Sequence, residues 1–206
     1  MVKQERAART REALIRSAAE VFDREGFTVA SLTTICSLAG VSAGALHFHF
    51  ATKAQLAGAV EEAALERLDG ITAGEEQAVE PVSPLQLLVN ASHRLIRGLG
   101  EDVVLRAGFE LSGAAAGEHD LRRHWQQWVT RTLHNAEGEG ELHRTVAPQD
   151  VVTAVVAATV GFEVLGARDS AWRSSPTVTR FWELLLPRLA VASVLAGLTA
   201  EGAPRP

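Results

Sequence analysis

With Cys36 as its one cysteine in 206 residues, the chain cannot build an internal disulfide framework, which suits a reducing compartment. It has no run of 18 residues that is apolar and uncharged, so a membrane-crossing helix is not expected. The opening stretch MVKQERAARTRE lacks the apolar core of a signal peptide, and Glu5 and Glu12 do not fit a transit peptide, which is poor in acids. The expected location is the cytoplasm, with no membrane partner. G-x-S-x-G, H-E-x-x-H, a Walker loop and a glycine-rich dinucleotide turn are all missing, so neither an enzyme nor a bound cofactor is expected. No segment alternates with period two, which argues against a sheet. A strong positive charge, the usual advertisement of nucleic-acid binding, is missing too: the net charge is −5.

What is present is a globular composition, 47% apolar and 22% charged, in a chain long enough to bury a substantial core. The charge is unevenly placed. Residues 1–60 carry seven Lys and Arg against five Asp and Glu, a net of +2, which leaves −7 for the remainder. A small basic head on an acidic body fits a DNA-facing end, and equally a solvated helix face. Residues 1–9 read as a polar arm whose Lys3, Arg6 and Arg9 suit phosphates. Thr10 is expected to open a first helix, with Leu14, Ile15, Ala18, Ala19 and Phe22 as its apolar stripe, Gly26 as its stop and Phe27 packing back.

The stretch Ser31 to Phe50 reads as helix, tight turn, helix. Ser31 suits an N-cap, Ile35 and Cys36 fall on one face, and Gly40 suits a left-handed C′ position. Ser42 caps a short second helix whose Leu46 and Phe50 face inward. This is the form of a helix-turn-helix that presents its second helix to the major groove. Thr33 and Thr34, in a first helical turn, suit phosphate, and Gly44 lets the backbone come close to one. His47 and His49 lie two apart on a helix and point in nearly opposite directions, so no shared metal is expected; His49 reads as structural.

Gly26-Phe27, Ser31, Ile35, Ala39-Gly40-Val41-Ser42, Gly44, Leu46, Phe48-His49-Phe50, Lys53 and Leu56 resemble the TetR family of bacterial one-component repressors, over about residues 8–57. The run Gly44-Ala45-Leu46-x-Phe48-His49-Phe50, together with Val104 to Gly108 and the Trp128 region, is similar to the γ-butyrolactone receptor group of actinomycetes. The resemblance implies that Lys53 contacts phosphate. It also marks two departures: the family usually has Lys at the position of Ala43 and Tyr at that of His47. Ala43 removes a charge-assisted phosphate contact but suits a thymine methyl, and His47 still offers a donor.

The rest of the chain reads as helices throughout, so the expected fold is all-α, with a helix-turn-helix head at residues 1–52 and a ligand-binding and dimerisation body at 53–206. A helix from Lys53 should stop at Gly70, before an acidic loop over residues 69–82. Ser83-Pro84 opens the next helix, Asp102 another, and SGAAAGEHD is a loop. Residues 150–165 are rich in β-branched side chains, yet their length favours a buried helix. A last helix from Pro176 to about Leu198 should kink at Pro187.

Trp125 and Trp128, one turn apart, suit a small amphipathic ligand with a carbonyl, and Val104, Leu105, Phe109 and Phe162 are candidate walls. Trp128 occupies a place in the chain that resembles the ligand-contacting tryptophan of the γ-butyrolactone receptors. The last two long helices are apolar nearly all round. Val151, Val155, Ala158, Phe181, Leu185, Leu189 and Ala192 are therefore candidates for a homodimer interface. The expected function is a dimeric repressor that holds a palindromic operator and is released by a small-molecule inducer such as a γ-butyrolactone. The alternative, motivated by Ala43 and His47, is a signal-binding decoy or partner-binding regulator with weakened DNA binding.

Overall fold

The computed structural model describes residues 2–76, 82–112 and 119–203. In order the helices are α1 (Val2–Glu25), α2 (Leu32–Ala39), α3 (Ala43–His49), α4 (Lys53–Glu76), α5 (Pro84–Glu101), α6 (Val103–Leu111), α7 (Leu121–Gly138), α8 (Pro148–Gly166), α9 (Ser175–Leu189) and α10 (Ala192–Leu195). A 3-10 turn, Ser170–Arg173, precedes α9. Among the described residues no strand forms, and Leu142 and Ala190 make an isolated antiparallel bridge. Residues 1–67 with 102–121 form one compact unit, and 68–101 with 122–206 form a second.

In the first unit α1 begins at Val2, eight residues before the expected start, so the arm is helical. Nothing in residues 2–9 breaks a helix. The Thr10 hydroxyl donates to the Arg6 carbonyl at 2.9 Å, the bond of a threonine inside a helix rather than at its cap. The apolar stripe of α1 is fully buried from Leu14 to Phe22, and Phe27 packs back on Phe22 with ring centroids 5.6 Å apart. Arg106 on α6 grips Asp23 on α1 through two hydrogen bonds of 2.8 and 3.0 Å. Gly108 allows α6 to approach α4 closely, because a Cβ there would overlap that of Ala64.

Helix α4 runs through Gly70, where a stop was expected. A helical glycine costs about 1 kcal/mol relative to alanine. Burial of Leu68 and Thr72 on either side offsets that, and the Thr72 hydroxyl donates to the Leu68 carbonyl at 3.2 Å. Residues 77–81 of the expected acidic loop, and 113–118 of SGAAAGEHD, lie outside the described residues.

In the second unit α5 buries Leu85, Leu88, Leu95 and Leu99. The β-branched segment does form a helix, α8, whose inner face carries Val151, Val155, Thr159, Phe162 and Glu163. By length and composition α8 could also cross a membrane. Its Glu163, however, is buried against Arg122 of α7 in a two-pronged pair, Nε to Oε2 at 3.0 Å and Nη2 to Oε1 at 2.5 Å. The expected last helix ends at Leu189 instead of kinking. Ala190 is extended, at φ −85° and ψ 144°. The Leu189 carbonyl accepts from His143 N at 2.7 Å, and Val191 N donates to the Glu141 carbonyl at 2.9 Å. Pairing with residues 141–143 thus takes over the backbone groups that the end of the helix at Leu189 leaves without intrahelical partners.

Candidate DNA-reading helix and ligand-binding tryptophans

The reading motif is built by local caps. Ser31 Oγ accepts from Thr33 N at 3.2 Å and starts α2. Gly40, at φ 66° and ψ 31°, ends it, with Val41 N donating back to the Cys36 carbonyl at 3.0 Å. Ser42 Oγ accepts from Ala45 N at 3.2 Å and starts α3. Leu46 and Phe50 anchor α3 inward, while Ser42, Ala43, Gly44 and His47 are exposed. Thr33 is exposed and Thr34 half-buried in the first turn of α2. Arg6 and Arg9 are exposed on the first turns of α1; the Lys3 side chain lies outside the described residues. His49 is half-buried, its ring between Phe48 and Phe50.

Two findings revise the set. Lys53, expected at a phosphate, donates from Nζ to the carbonyls of Thr28 and Ala30 at 3.1 and 2.8 Å and lies 4.8 Å from the Phe27 ring centroid. It ties the start of α4 to the turn before α2, an internal role that three ammonium donors on a long stem make available. Phe48, part of the family motif but not among the expected DNA contacts, is 79% exposed on α3. Gly44, His47 and Phe48 follow i, i+3, i+4 spacing on the face opposite Leu46 and Phe50, a signal that was readable from the sequence. A large bare aromatic here suits thymine methyls and sugar edges.

In the first unit Val104, Leu105 and Phe109 are buried on α6. In the second, Trp125 and Trp128 stack with centroids 5.2 Å apart and planes at 21°. They are 1% and 2% exposed, and neither indole Nε1 has a hydrogen-bond partner among the described residues. A buried donor left unmet costs about 1–3 kcal/mol. Phe162 packs edge-on against Phe181 at 5.9 Å. Thr159 and Glu163, also weighed as polar anchors, are already bonded to the Val155 carbonyl and to Arg122. No group of three or more His, Cys, Asp or Glu side chains among the described residues could hold a metal.

Of the expected dimer residues, Val151, Val155 and Leu189 are buried inside the protomer. They form the inner side of their helices, because the protomer's own α5 and neighbouring helices need that cover. Ala158, Phe181 and Leu185 are half-buried and Ala192 exposed. The apolar side chains left bare on α8 and α9 include Val164, 56% exposed, and Leu184, 64% exposed.

A short helix capped at both ends, presenting small and aromatic side chains outward, makes this a helix-turn-helix DNA-binding protein. Residues 14–60 match the model of bacterial regulatory proteins, tetR family. The chain is 31% identical to the A-factor receptor protein of Streptomyces griseus, over 98% of this chain and 71% of that protein. Its fold is similar to a crystal structure of a gamma-butyrolactone receptor (ArpA-like protein), with a TM-score of 0.82 and 26% identity, covering 95% of this chain and 96% of that one. It is also similar to CprB of Streptomyces coelicolor in complex with its operator sequence, with a TM-score of 0.76 and 28% identity over 93% and 94% of the two chains. The chain belongs to the TetR family of bacterial regulatory proteins, in the group of the A-factor receptor protein. It is a transcriptional regulator and not an enzyme.

Proposed function

We propose that the protein is a cytoplasmic homodimeric repressor, with residues 1–52 as reading head and 53–206 as ligand-binding and dimerisation body. It holds a palindromic operator and leaves it when a small amphipathic lactone of the γ-butyrolactone class binds at Trp125 and Trp128. The observation that carries the ligand reading is the pair of buried, stacked indoles whose N–H groups lack an acceptor among the described residues. A lactone offers carbonyl oxygens to the donors and an alkyl chain to the ring faces. Likeness to a receptor protein over 98% of this chain, head included, speaks against the decoy reading.

Dimerisation is proposed through the outer faces of α8 and α9, where Ala157, Val164 and Leu184 are exposed and Val160, Phe181 and Leu185 half-buried. Two-fold pairing places two reading helices about 34–36 Å apart, one turn of DNA. The ligand must bind the DNA-incompetent state better than the competent one; a coupling of about 1–3 kcal/mol is the usual scale.

The test is a gel shift on the DNA upstream of the protein's own gene, with and without a synthetic γ-butyrolactone. A retarded band that the lactone dissolves is expected. Trp128→Phe, which keeps an aromatic ring but deletes the donor, should bind the operator like the parent but need at least tenfold more lactone for release. No retarded band, or unchanged release in that variant, rejects the reading.

Restoring a cation at the start of the reading helix has a predictable effect. Ala43→Lys should tighten operator binding about tenfold, the value of one charge-assisted contact. It should also steepen the salt dependence by about 0.9 in log–log slope. Anisotropy titrations at several salt concentrations measure both.

A further inference from the structure

The outer face of α3 is short of the groups by which a recognition helix usually reads bases. Its seven residues, AGALHFH, include no Lys, Arg, Asn or Gln. None of the bidentate pairs that identify guanine or adenine in the major groove can therefore form from α3. Ser42 Oγ accepts the cap bond from Ala45 N, and Ala43 and Gly44 carry no polar side-chain atom. The His49 ring is half-buried between Phe48 and Phe50. That leaves the exposed imidazole of His47. A single N–H meets N7 of adenine and of guanine alike, so it separates the two purines poorly.

What α3 presents instead is a bare aromatic ring in a prepared place. The exposed Phe48 ring is braced by the edge of His49, at 5.1 Å and 85°. His49 leans in turn on Phe50, 6.3 Å away, which is buried with the Arg11 guanidinium 5.5 Å over its ring. A ring held in this way has little side-chain freedom left to lose on binding. One turn earlier stands Gly44. Among the described residues a Cβ there would meet nothing nearer than Ser42 Oγ at 3.9 Å. Packing within the protomer therefore does not require glycine at 44, and its bare backbone leaves a gap beside the Phe48 ring. Positive charge lies elsewhere on the head, where Arg6 and Arg9 are exposed on α1.

Granted the operator binding proposed above, the geometry points to thymine as the base that α3 selects, by its 5-methyl group, which enters the gap at Gly44 and is covered by Phe48. Covering a methyl removes apolar surface from water. At a cytosine the same ring would find no methyl. It would also strip water from the N4 amino group without offering an acceptor, which is unfavourable. Both effects favour thymine, so an uncharged ring tells one pyrimidine from the other without a hydrogen bond. Attraction to phosphate, which carries no sequence information, falls to Arg6 and Arg9 outside α3.

The probe is the DNA upstream of the protein's own gene, amplified once with dTTP and once with dUTP, so that the two duplexes differ in the 5-methyl groups alone. The full-length parent should bind the uracil duplex about tenfold more weakly or worse, since burial of one methyl is worth about fourfold and a palindrome presents two half-sites. His47→Ala should keep that ratio. Phe48→Ala should bind the thymine duplex more weakly and shrink the ratio to about twofold or less, because the group that senses the methyl is gone. Titrations at low salt keep the weakened variant measurable. Equal binding of the two duplexes by the parent overturns the methyl reading while operator binding stands. An undiminished ratio in Phe48→Ala also overturns it, and assigns the loss to the altered stiffness of uracil DNA or to another side chain. No retarded band on the thymine duplex rejects operator binding itself, and the methyl reading with it.

Discussion

Replacing Phe48 by glutamate should lower operator affinity at least a hundredfold while leaving the protein as stable as the parent. The Phe48 side chain is 79% exposed, and its recorded ring contact is the edge of His49 at 5.1 Å, so folding draws little from it. In the proposed operator complex its place beside His47 and Gly44 sets it against base edges and sugars, where a large apolar side chain suits a thymine methyl. Glutamate removes that contact and sets a negative charge among phosphates. A hundredfold loss corresponds to about 2.7 kcal/mol. Phe48→Leu, which keeps apolar area without the ring, should lose about tenfold or less. Anisotropy on the operator at fixed salt, beside a thermal melt, separates binding from folding. Parent-like affinity of the glutamate variant would remove Phe48 from the reading face.

A second large effect is expected at Arg122. Its two-pronged pair with Glu163 joins α7 to α8, and the Glu163 side chain is 8% exposed. Arg122→Ala leaves a carboxylate in a nearly dry place without its cation, which costs about 3–5 kcal/mol. In a chain of this length that lowers the melting temperature by about 10 °C. Arg122→Met combined with Glu163→Leu should recover most of the loss, because removing both charges also removes their desolvation. Urea unfolding at one protomer concentration compares the three proteins; the concentration must be held because a dimer's stability depends on it. A single variant within 1 kcal/mol of the parent would contradict this account.

The reading motif was legible because each of its devices is local. A serine followed by free backbone N–H groups, a glycine at a left-handed position and two inward hydrophobes four residues apart each act within one turn of chain. The observed caps at Ser31, Gly40 and Ser42 match them residue for residue. The stacked tryptophans follow from i, i+3 spacing in the same way. Where longer-range packing decides, local reading fell short. Gly70 looked like a stop and is passed through, because buried Leu68 and Thr72 hold the helix together on either side. Pro187 looked like a kink, and the helix instead ends at Leu189, because residues 141–143 supply the partners for the released backbone. Lys53 looked like a phosphate ligand, and two carbonyls from residues 28 and 30 engage it.

By itself the sequence determined that the chain is all-helical, that Ser31 to Phe50 is a reading motif and that two indoles lie one turn apart, since hydrophobic period, caps and spacing are properties of neighbours along the chain. Only the tertiary structure decided which apolar residues of α8 and α9 serve the protomer's own core and which remain bare, and that both indole donors are buried without an acceptor among the described residues. Periodicity assigns a side chain to a face of its helix. What covers that face is settled by segments far away in sequence, through packing that no local pattern records.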